Sequence, residues 1–550
     1  MNKNIIPICL IPFLVLIGAA AALDTGTARS QELQDAIDEQ IHKSPAKLFD
    51  LPDHRMAANQ IDHKLNQFYH ERDMQPLWVA ADGPLKRAEI LLGVLLAADT
   101  HGLNPNDYYI GQIRRYWDKK DVVNLARLEL LLTLALGEYT ADLVEGRRRP
   151  RQIDPNLFAT ARDNEIDPAQ LVQQAVAAPD LQAFLEGQAP PFLQYRQLRD
   201  KLAEYRAIAA RGGWPQIQPG RVLKPGLNDP RVPAIRSRLS ATGEWPANDP
   251  TDSTEYDEDL VSAVKKFQQH YGLDPDGVLG RATMAALNVP VAKRINQIIL
   301  NMETWRWVAR NPGDWLLLVN IPSFELWGVR NNKVEISLPV IVGKEYTMTP
   351  VFSDKLRYVE FNPYWDVPQS IAQNEILPEL QKDSSYLRKQ HLRLFEGEGA
   401  GRREIDPLAV NWSRVNPEDM DRYRLRQDPG PDNSLGTVKF VFPNQFNVYL
   451  HDTPARELFQ QTKRAFSHGC IRVARAQELA VYVLGGPGKS WDEERVRSII
   501  AEGKNQVFHL ESPLPIYIFY HTAVVDPESN ELYFYEDVYG RDAILEKAIF

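Results

Sequence analysis

The stretch from 448 to 473 reads V-Y-L-H-D-T-P-A-R-E-L-F-Q-Q-T-K-R-A-F-S-H-G-C-I-R-V, and two residues in it decide how the rest of the chain is read. His451 closes a strand-like run, and Cys470 follows nineteen positions later inside S-H-G-C. A loop of that length between adjacent strands can bring their ends together and set an imidazole beside a thiol. An unperturbed thiol, with a pKa of about 8.5, is only a few per cent thiolate at neutral pH, so a cysteine nucleophile needs a partner for its proton. Two histidines qualify. His451 can face the sulfur from a neighbouring strand; His468 stands two residues before Cys470, on the same face if the segment is extended. Spacing favours His451 without excluding His468. Gly469 allows a tight turn and leaves the N–H groups around Cys470 open, as an oxyanion hole for acyl transfer requires. Arg472 carries a guanidinium able to hold a substrate carboxylate by paired hydrogen bonds, with a structural ion pair as the competing role.

The chain has two cysteines, Cys9 and Cys470, and Cys9 lies in an N-terminal apolar run. Lys3, the run from Ile5 to Ala22 and the small residues at its end have the layout of a secretory leader cleaved near Ala20 to Ala22. An uncleaved membrane anchor is the alternative, although Pro7 and Pro12 interrupt the run. Once the leader is removed, Cys470 is left alone. A lone thiol in an oxidising compartment gains nothing structural and risks oxidation, which points to reactive chemistry; a small buried hydrophobe is the bland reading.

With 550 residues, 44% of them hydrophobic and 25% charged, the chain is of ordinary globular composition and long enough for two to four domains. A net charge of -10 disfavours nucleic acid or anionic lipid as a partner. The basic run Arg147, Arg148, Arg149 and Arg151 reads as a solvated helix end or loop.

Residues 30–225 read as a helical scaffold, with Val122, Val123, Leu125, Leu128, Leu132 and Leu136 at helical spacing. The Gly- and Pro-rich stretch from Gly212 to Asp229 reads as a linker. A small helical module follows over 229–290, ending in V-K-K-F-Q-Q-H-Y-G-L-D-P-D-G-V-L-G-R-A-T-M-A-A-L at 264–287. After Trp305 strands are expected at Trp315 to Asn320, Val334 to Val342, Tyr358 to Phe361, Val438 to Val441, Val448 to His451, Ile516 to Tyr520 and Leu532 to Tyr535. Between about 370 and 431 the strand pattern stops, and a polar, partly helical insertion able to act as a lid is expected. The fold class is thus multidomain α+β, with a mostly-β catalytic region over 295–550.

The 264–287 stretch resembles the peptidoglycan-binding module of cell-wall enzymes through Phe267-Gln268, Gly272-Leu273, Asp276-Gly277, Gly280 and Thr283. H-D-T-P followed by S-H-G-C-I-R-V resembles the L,D-transpeptidase catalytic domain of the YkuD type. The resemblance extends to V-G-K at 342–344, T-P at 349–350, N-P-Y-W-D-V-P at 362–368, P-G-P-D-N-S-L-G at 429–436 and F-Y-E-D-V-Y-G-R-D at 534–542. With P-L-W at 76–78 and H-G-L-N-P-N-D-Y-Y at 101–109, the chain resembles the large YcbB-type branch, which carries a scaffold, a binding module and a capping insertion.

The resemblance implies that Cys470 is the nucleophile and His451 the base. It implies that Ser467, His468 and Gly469 shape the oxyanion environment and that Tyr449 and Trp365 border the substrate cleft. It departs from many members at Asp452, where they have Gly, and at Arg472, where they have Asn. The implied reaction is a thioester acyl-enzyme passed to an amine, giving a 3→3 cross-link between peptidoglycan stem peptides with no metal or organic cofactor. The expected location is the periplasm, with membrane contact only through an uncleaved leader, and other cell-wall synthesis enzymes are a further partner class. A carboxypeptidase or endopeptidase using the same Cys-His pair is the nearest alternative, and a non-catalytic wall-binding protein the next. Zinc catalysis is disfavoured because the eleven histidines are scattered and no H-E-x-x-H occurs.

Overall fold

The computed structural model describes residues 14–49, 58–153, 168–246, 252–397, 399–486 and 491–550. Most of the expected leader, residues 1–13, lies outside them, and the helix Leu14–His42 takes up the remainder. Among the described residues no helix is long and apolar enough to cross a membrane. The chain divides into two compact units.

The first unit comprises Met1–Arg149, Asn164–Arg206 and Met302–Trp307, and its described residues are mainly helical. Its centre is the helix Val122–Glu145, capped by the Asp121 side chain and buried on nearly every face, so its apolar residues are not confined to one stripe. Two motifs turn out to be part of this packing. The buried Glu129 carboxylate accepts from the backbone N–H groups of Leu77 (2.6 Å), Trp78 (2.8 Å) and Val79 (3.1 Å), which sets P-L-W just before a short hairpin of β1 (Val79–Ala80) and β2 (Gly83–Pro84). In the 101–109 motif, Gly102 turns at φ +70°, Asn104 caps a short 3-10 turn, and Tyr108 donates to Asp142 at 2.9 Å. The scaffold expected over 30–225 is mainly helical in its described residues, but 207–225 group with the second unit. Residues 302–307, expected with the catalytic region, belong to this unit: Arg306 is fully buried, bonded to Glu303, to the His101 carbonyl and to the Tyr195 hydroxyl.

The second unit holds the small module and the β region. Helices Val232–Thr242, Glu258–His270 and Arg281–Leu287 bury Ile235, Leu239, Leu260, Val264, Phe267 and Leu287. The stretch from 212 to 229 is not a free linker. Trp214 lies 3.9 Å beneath the buried Arg238 guanidinium, and Leu223 pairs with Leu279.

The main sheet is built from β3 (Trp315–Asn320), β4 (Glu325–Arg330), β5 (Lys333–Gly343), β6 (Phe352–Phe361), β11 (Val438–Val441), β12 (Leu450–His451), β13 (Ala465–Ser467), β14 (Ile471–Val473) and β15 (Gln506–Phe519). Their order is β13-β5-β14-β12-β11-β6-β15-β3-β4, and β5 pairs with β4 as well, so the sheet curls back on itself around one apolar core. Three of the expected strands differ by more than one residue, and the first of them, β6, begins at Phe352 rather than at Tyr358. The β12 strand is shorter because Asn444 and Asn447 (φ +54°) make a turn up to Val448. The β15 strand runs longer, through an irregular register between His509 and Leu514.

The insertion corrects the expectation of a strandless segment. Four strands, β7 (Trp365–Asp366), β8 (Leu392–Glu396), β9 (Arg403–Ile405) and β10 (Tyr423–Gln427), form an antiparallel sheet in the order β7-β10-β8-β9 over a core of its own. Leu392 and Leu394, with Tyr423 and Leu425, face that core, while on the opposite face Arg393 of β8 donates to Glu404 of β9 at 2.9 Å. Such cross-strand ion pairs give an overall composition that looks like a solvated loop.

Candidate active site

Register brings the site together. Strands β12 and β14 run parallel with Leu450 opposite Ile471 and His451 opposite Arg472. Leu450, Ile471 and Val473 enter the core, so by strand alternation Tyr449, His451, Cys470 and Arg472 share the opposite face. Lys439 of β11 stands opposite His451 and joins that face, with its ammonium 4.3 Å from the Tyr449 ring centre.

His451 is buried, and its Nδ1 meets the Asp452 backbone carbonyl at 2.5 Å. That acceptor puts the proton on Nδ1 and leaves Nε2 as the basic nitrogen. Burial, then the charges of Arg472 and Lys439, hold its pKa down to about 3, so the ring is neutral at physiological pH. Asp452 is held in turn: Oδ2 accepts from the Thr437 N–H (2.9 Å) and hydroxyl (2.8 Å). A Cβ on Gly436 would meet that carboxyl group at 2.5 Å, and Gly436 turns at φ +62°. The 429–436 motif thus cradles Asp452.

Cys470 is partly exposed, and its Sγ donates to the Asn447 carbonyl at 3.8 Å. Burial pushes the thiol upward, opposed by the N–H and hydroxyl of Tyr449 and by the charges of Lys439 and Arg472. Among the described residues no hydrogen bond joins Sγ to the His451 ring, so the resting pair is a neutral thiol and a neutral imidazole on neighbouring strands, rather than a preformed ion pair. Catalytic hydrogen bonds are often loose before substrate arrives.

The turn before Cys470 corrects one expectation. Gly469, at φ +110°, does not leave its N–H open: that group donates to Ser467 Oγ at 3.1 Å, and Ser467 Oγ donates to the Cys470 carbonyl at 2.5 Å. The Cys470 N–H has no acceptor among the described residues, which makes it the oxyanion donor this turn offers. The V-G-K and T-P motifs buttress the turn. Lys344 N–H and Thr347 hydroxyl donate to the Ser467 carbonyl, and Thr349 donates to the Gly469 carbonyl at 2.8 Å.

The remaining expected residues are dispersed. His468 Nε2 is hydrogen-bonded to Glu375 of the insertion, a residue sequence reasoning missed, whereas Nε2 of His451 has no partner among the described residues. Glu375 lies in the π-helical turn Ala372–Ile376, a local irregularity that one-dimensional spacing does not reveal. Trp365 sits in β7, half-buried against the core of the insertion. Arg472 has a buried Nε without an acceptor and makes no ion pair among the described residues. No group of three His, Cys, Asp or Glu side chains gathers as a metal site among the described residues.

Three family models match the chain: the L,D-transpeptidase catalytic domain over 314–498, a peptidoglycan binding domain over 228–287 and a scaffold domain over 63–202. A curated Haemophilus influenzae protein, whose name assigns it provisionally to the L,D-transpeptidases, is 33% identical over 226 residues, 41% of this chain and 44% of that protein. Two solved structures are similar at low identity. An L,D-transpeptidase from Mycobacterium smegmatis is 11% identical, covering 38% of this chain and 58% of its own, with a TM-score of 0.19. An L,D-transpeptidase from Xylanimonas cellulosilytica is 13% identical, covering 55% and 99%, with a TM-score of 0.16, and at such scores neither superposition carries weight. The chain therefore carries a YkuD-type L,D-transpeptidase catalytic domain, together with a peptidoglycan-binding domain and a scaffold domain.

Proposed function

We propose that the chain is an exported enzyme that forms 3→3 cross-links between peptidoglycan stem peptides through a thioester on Cys470. The observation that carries the reading is the register of β12 and β14, which sets the Cys470 thiol and a neutral His451 on one sheet face, with the Cys470 N–H unused beside them. In acylation, Sγ attacks the carbonyl of the third stem residue while its proton passes to His451 Nε2. The developing oxyanion takes the Cys470 N–H and the hydroxyl of Tyr449, which stays protonated because burial raises its pKa. The C–N bond to the terminal D-Ala breaks, and His451 returns the proton to the leaving amine. In deacylation, an amine of a neighbouring stem attacks the thioester and gives its proton to His451, and the C–S bond breaks to restore the thiol.

Arg472 is the group for a substrate carboxylate, since a half-buried guanidinium without a carboxylate partner is costly unless a ligand supplies one. The peptidoglycan-binding domain supports the substrate class. A periplasmic location is the one in which that substrate would be met.

The test is intact-mass analysis with a purified tetrapeptide stem. Wild type should gain the mass of the stem less D-Ala, and Cys470→Ala should not. Supplying an amine acceptor should then yield the dimer; release of free tripeptide alone would replace cross-linking by carboxypeptidase action.

A further inference from the structure

The Cys470 N–H and the Gly469 carbonyl belong to one peptide unit, and the fold holds that unit by its carbonyl end. Thr349 Oγ1 donates to the Gly469 carbonyl at 2.8 Å. The backbone on either side is tied as well. Ser467 Oγ accepts from the Gly469 N–H at 3.1 Å and donates to the Cys470 carbonyl, and the Ile471 N–H donates to the Tyr449 carbonyl at 3.1 Å. The Cys470 N–H is left open between these fixed points.

A trans peptide is planar, with its C=O and N–H pointing in opposite directions. Whatever fixes the direction of the Gly469 carbonyl therefore aims the Cys470 N–H. Gly469, at φ +110° and without a Cβ, offers little resistance to a flip of that unit, so the restraint has to come from outside the turn. A carbonyl that accepts a hydrogen bond also makes the N–H of its own amide a stronger donor.

Thr349 is fully buried, and its polar groups are engaged. Its hydroxyl accepts from the Gly343 N–H at 2.9 Å, its N–H donates to the Tyr539 hydroxyl at 3.3 Å, and its carbonyl accepts from Arg541 Nη2 at 3.2 Å. Tyr539 and Arg541 come from the F-Y-E-D-V-Y-G-R-D stretch at 534–542, far past Cys470 in the chain. Tyr539 is itself anchored. Its hydroxyl donates to the Gly343 carbonyl at 2.6 Å, its N–H donates to the Tyr520 hydroxyl at 2.8 Å, and Tyr520 donates in turn to Asp537 Oδ1 at 2.6 Å. The Tyr520 and Tyr539 rings stack at 5.7 Å, and the Arg541 guanidinium lies 5.2 Å from the Tyr539 ring centre, so the phenol is confined.

We propose that Thr349, held by Tyr539 and Arg541, is a positioning residue that aims the Cys470 N–H at the oxyanion. The proposal rests on the reading of Cys470 as the acylated nucleophile. Thr349 stands at the carbonyl end of the peptide, so it acts without touching substrate. Its loss should lower the rate of acylation and leave donor binding alone.

The experiment measures two rates on full-length protein. One is single-turnover thioester formation with a purified tetrapeptide stem, a step that develops an oxyanion. The other is alkylation by iodoacetamide, followed on the Cys470 peptide: Sγ displaces iodide from carbon, the thiol proton goes to base, and no oxyanion forms. Thr349→Val should slow acylation at saturating stem by about tenfold, less than the roughly 10²–10³-fold of losing an oxyanion donor outright. Half-saturation and the alkylation rate should stay at their wild-type values. Thr349→Ser keeps a hydroxyl and should restore acylation. Both rates falling together, acylation unchanged in Thr349→Val, or no recovery in Thr349→Ser overturns the proposal. If Thr349→Val does not fold, Tyr539→Phe decides in its place: slower acylation with unchanged alkylation supports the proposal, and any other result overturns it. A wild type that forms no thioester while Cys470 still alkylates removes the nucleophile reading, and the proposal with it.

Discussion

The Nδ1 of His451 is bonded to the carbonyl of the next residue, Asp452, at 2.5 Å, so the ring is oriented by its own backbone and not by a third side chain. The carboxylate of Asp452 acts one step further back, tying that backbone to Thr437.

With the His451 pKa near 3 and the thiol raised, the reactive neutral pair exists across the whole physiological range. The rate of thioester formation should therefore be flat between about pH 5 and 8, with no limb near the ordinary histidine value of about 6.5. Single-turnover mass measurements across that range check it, and a limb centred near 6.5 would mean that burial does not suppress the imidazolium.

The same depressed pKa links stability to pH. Because the folded state disfavours imidazolium, stability from His451 is full above the unfolded pKa and is lost as pH falls from about 6.5 toward 3. Urea midpoints of wild type and His451→Gln should converge as the buffer is taken from pH 7 to pH 4.

Asp452→Ala leaves the Thr437 N–H and hydroxyl without their acceptor, at a cost of about 1–3 kcal/mol. Thermal melting should drop accordingly, and acylation should slow further than the loss of folded protein explains, because the carbonyl that orients His451 is released. Activity normalised to folded fraction separates the two effects.

Gly343→Ala should be poorly tolerated although the residue is remote from substrate. The added Cβ would stand 2.0 Å from the Thr347 carbonyl and 2.8 Å from the Thr349 N–H, in the loop that holds the catalytic turn. Overpacking of this kind costs about 1–3 kcal/mol, so a lowered denaturation midpoint with reduced acylation is expected. A variant with wild-type values would show that this loop yields freely.

Glu375 joins the insertion to His468, with both side chains substantially exposed. An exposed pair is worth at most about 1 kcal/mol, so Glu375→Gln should leave the melting temperature nearly unchanged. It should nevertheless increase hydrogen exchange in 370–431 and weaken the salt dependence of kcat/KM. Exchange identical to wild type would mean that the insertion is held by other contacts.

Much of the fold was readable along the chain. The helical scaffold followed from period-3.6 leucines, and Trp315–Asn320 and Val438–Val441 were found at their full extent because apolar, β-branched runs bounded by turn residues have few alternatives. The strands of the insertion were hidden because their face away from the core carries Arg393, Arg424 and Arg426, and the Glu404 partner of Arg393 lies on another strand. Arg306 and residues 302–307 were misplaced because a fully buried guanidinium makes sense only once its distant acceptors are known.

By itself the sequence determined that one thiol follows a histidine across a loop, in a turn that needs glycine, and these are local facts of spacing and backbone freedom. Only the tertiary structure separates the two histidines, since it bonds His468 to Glu375 and leaves Nε2 of His451 without a hydrogen-bond partner among the described residues. It also decided which N–H is unused and that the resting pair is uncharged. Those outcomes depend on burial and on hydrogen-bond partners far away in the chain, and both are set by strand register.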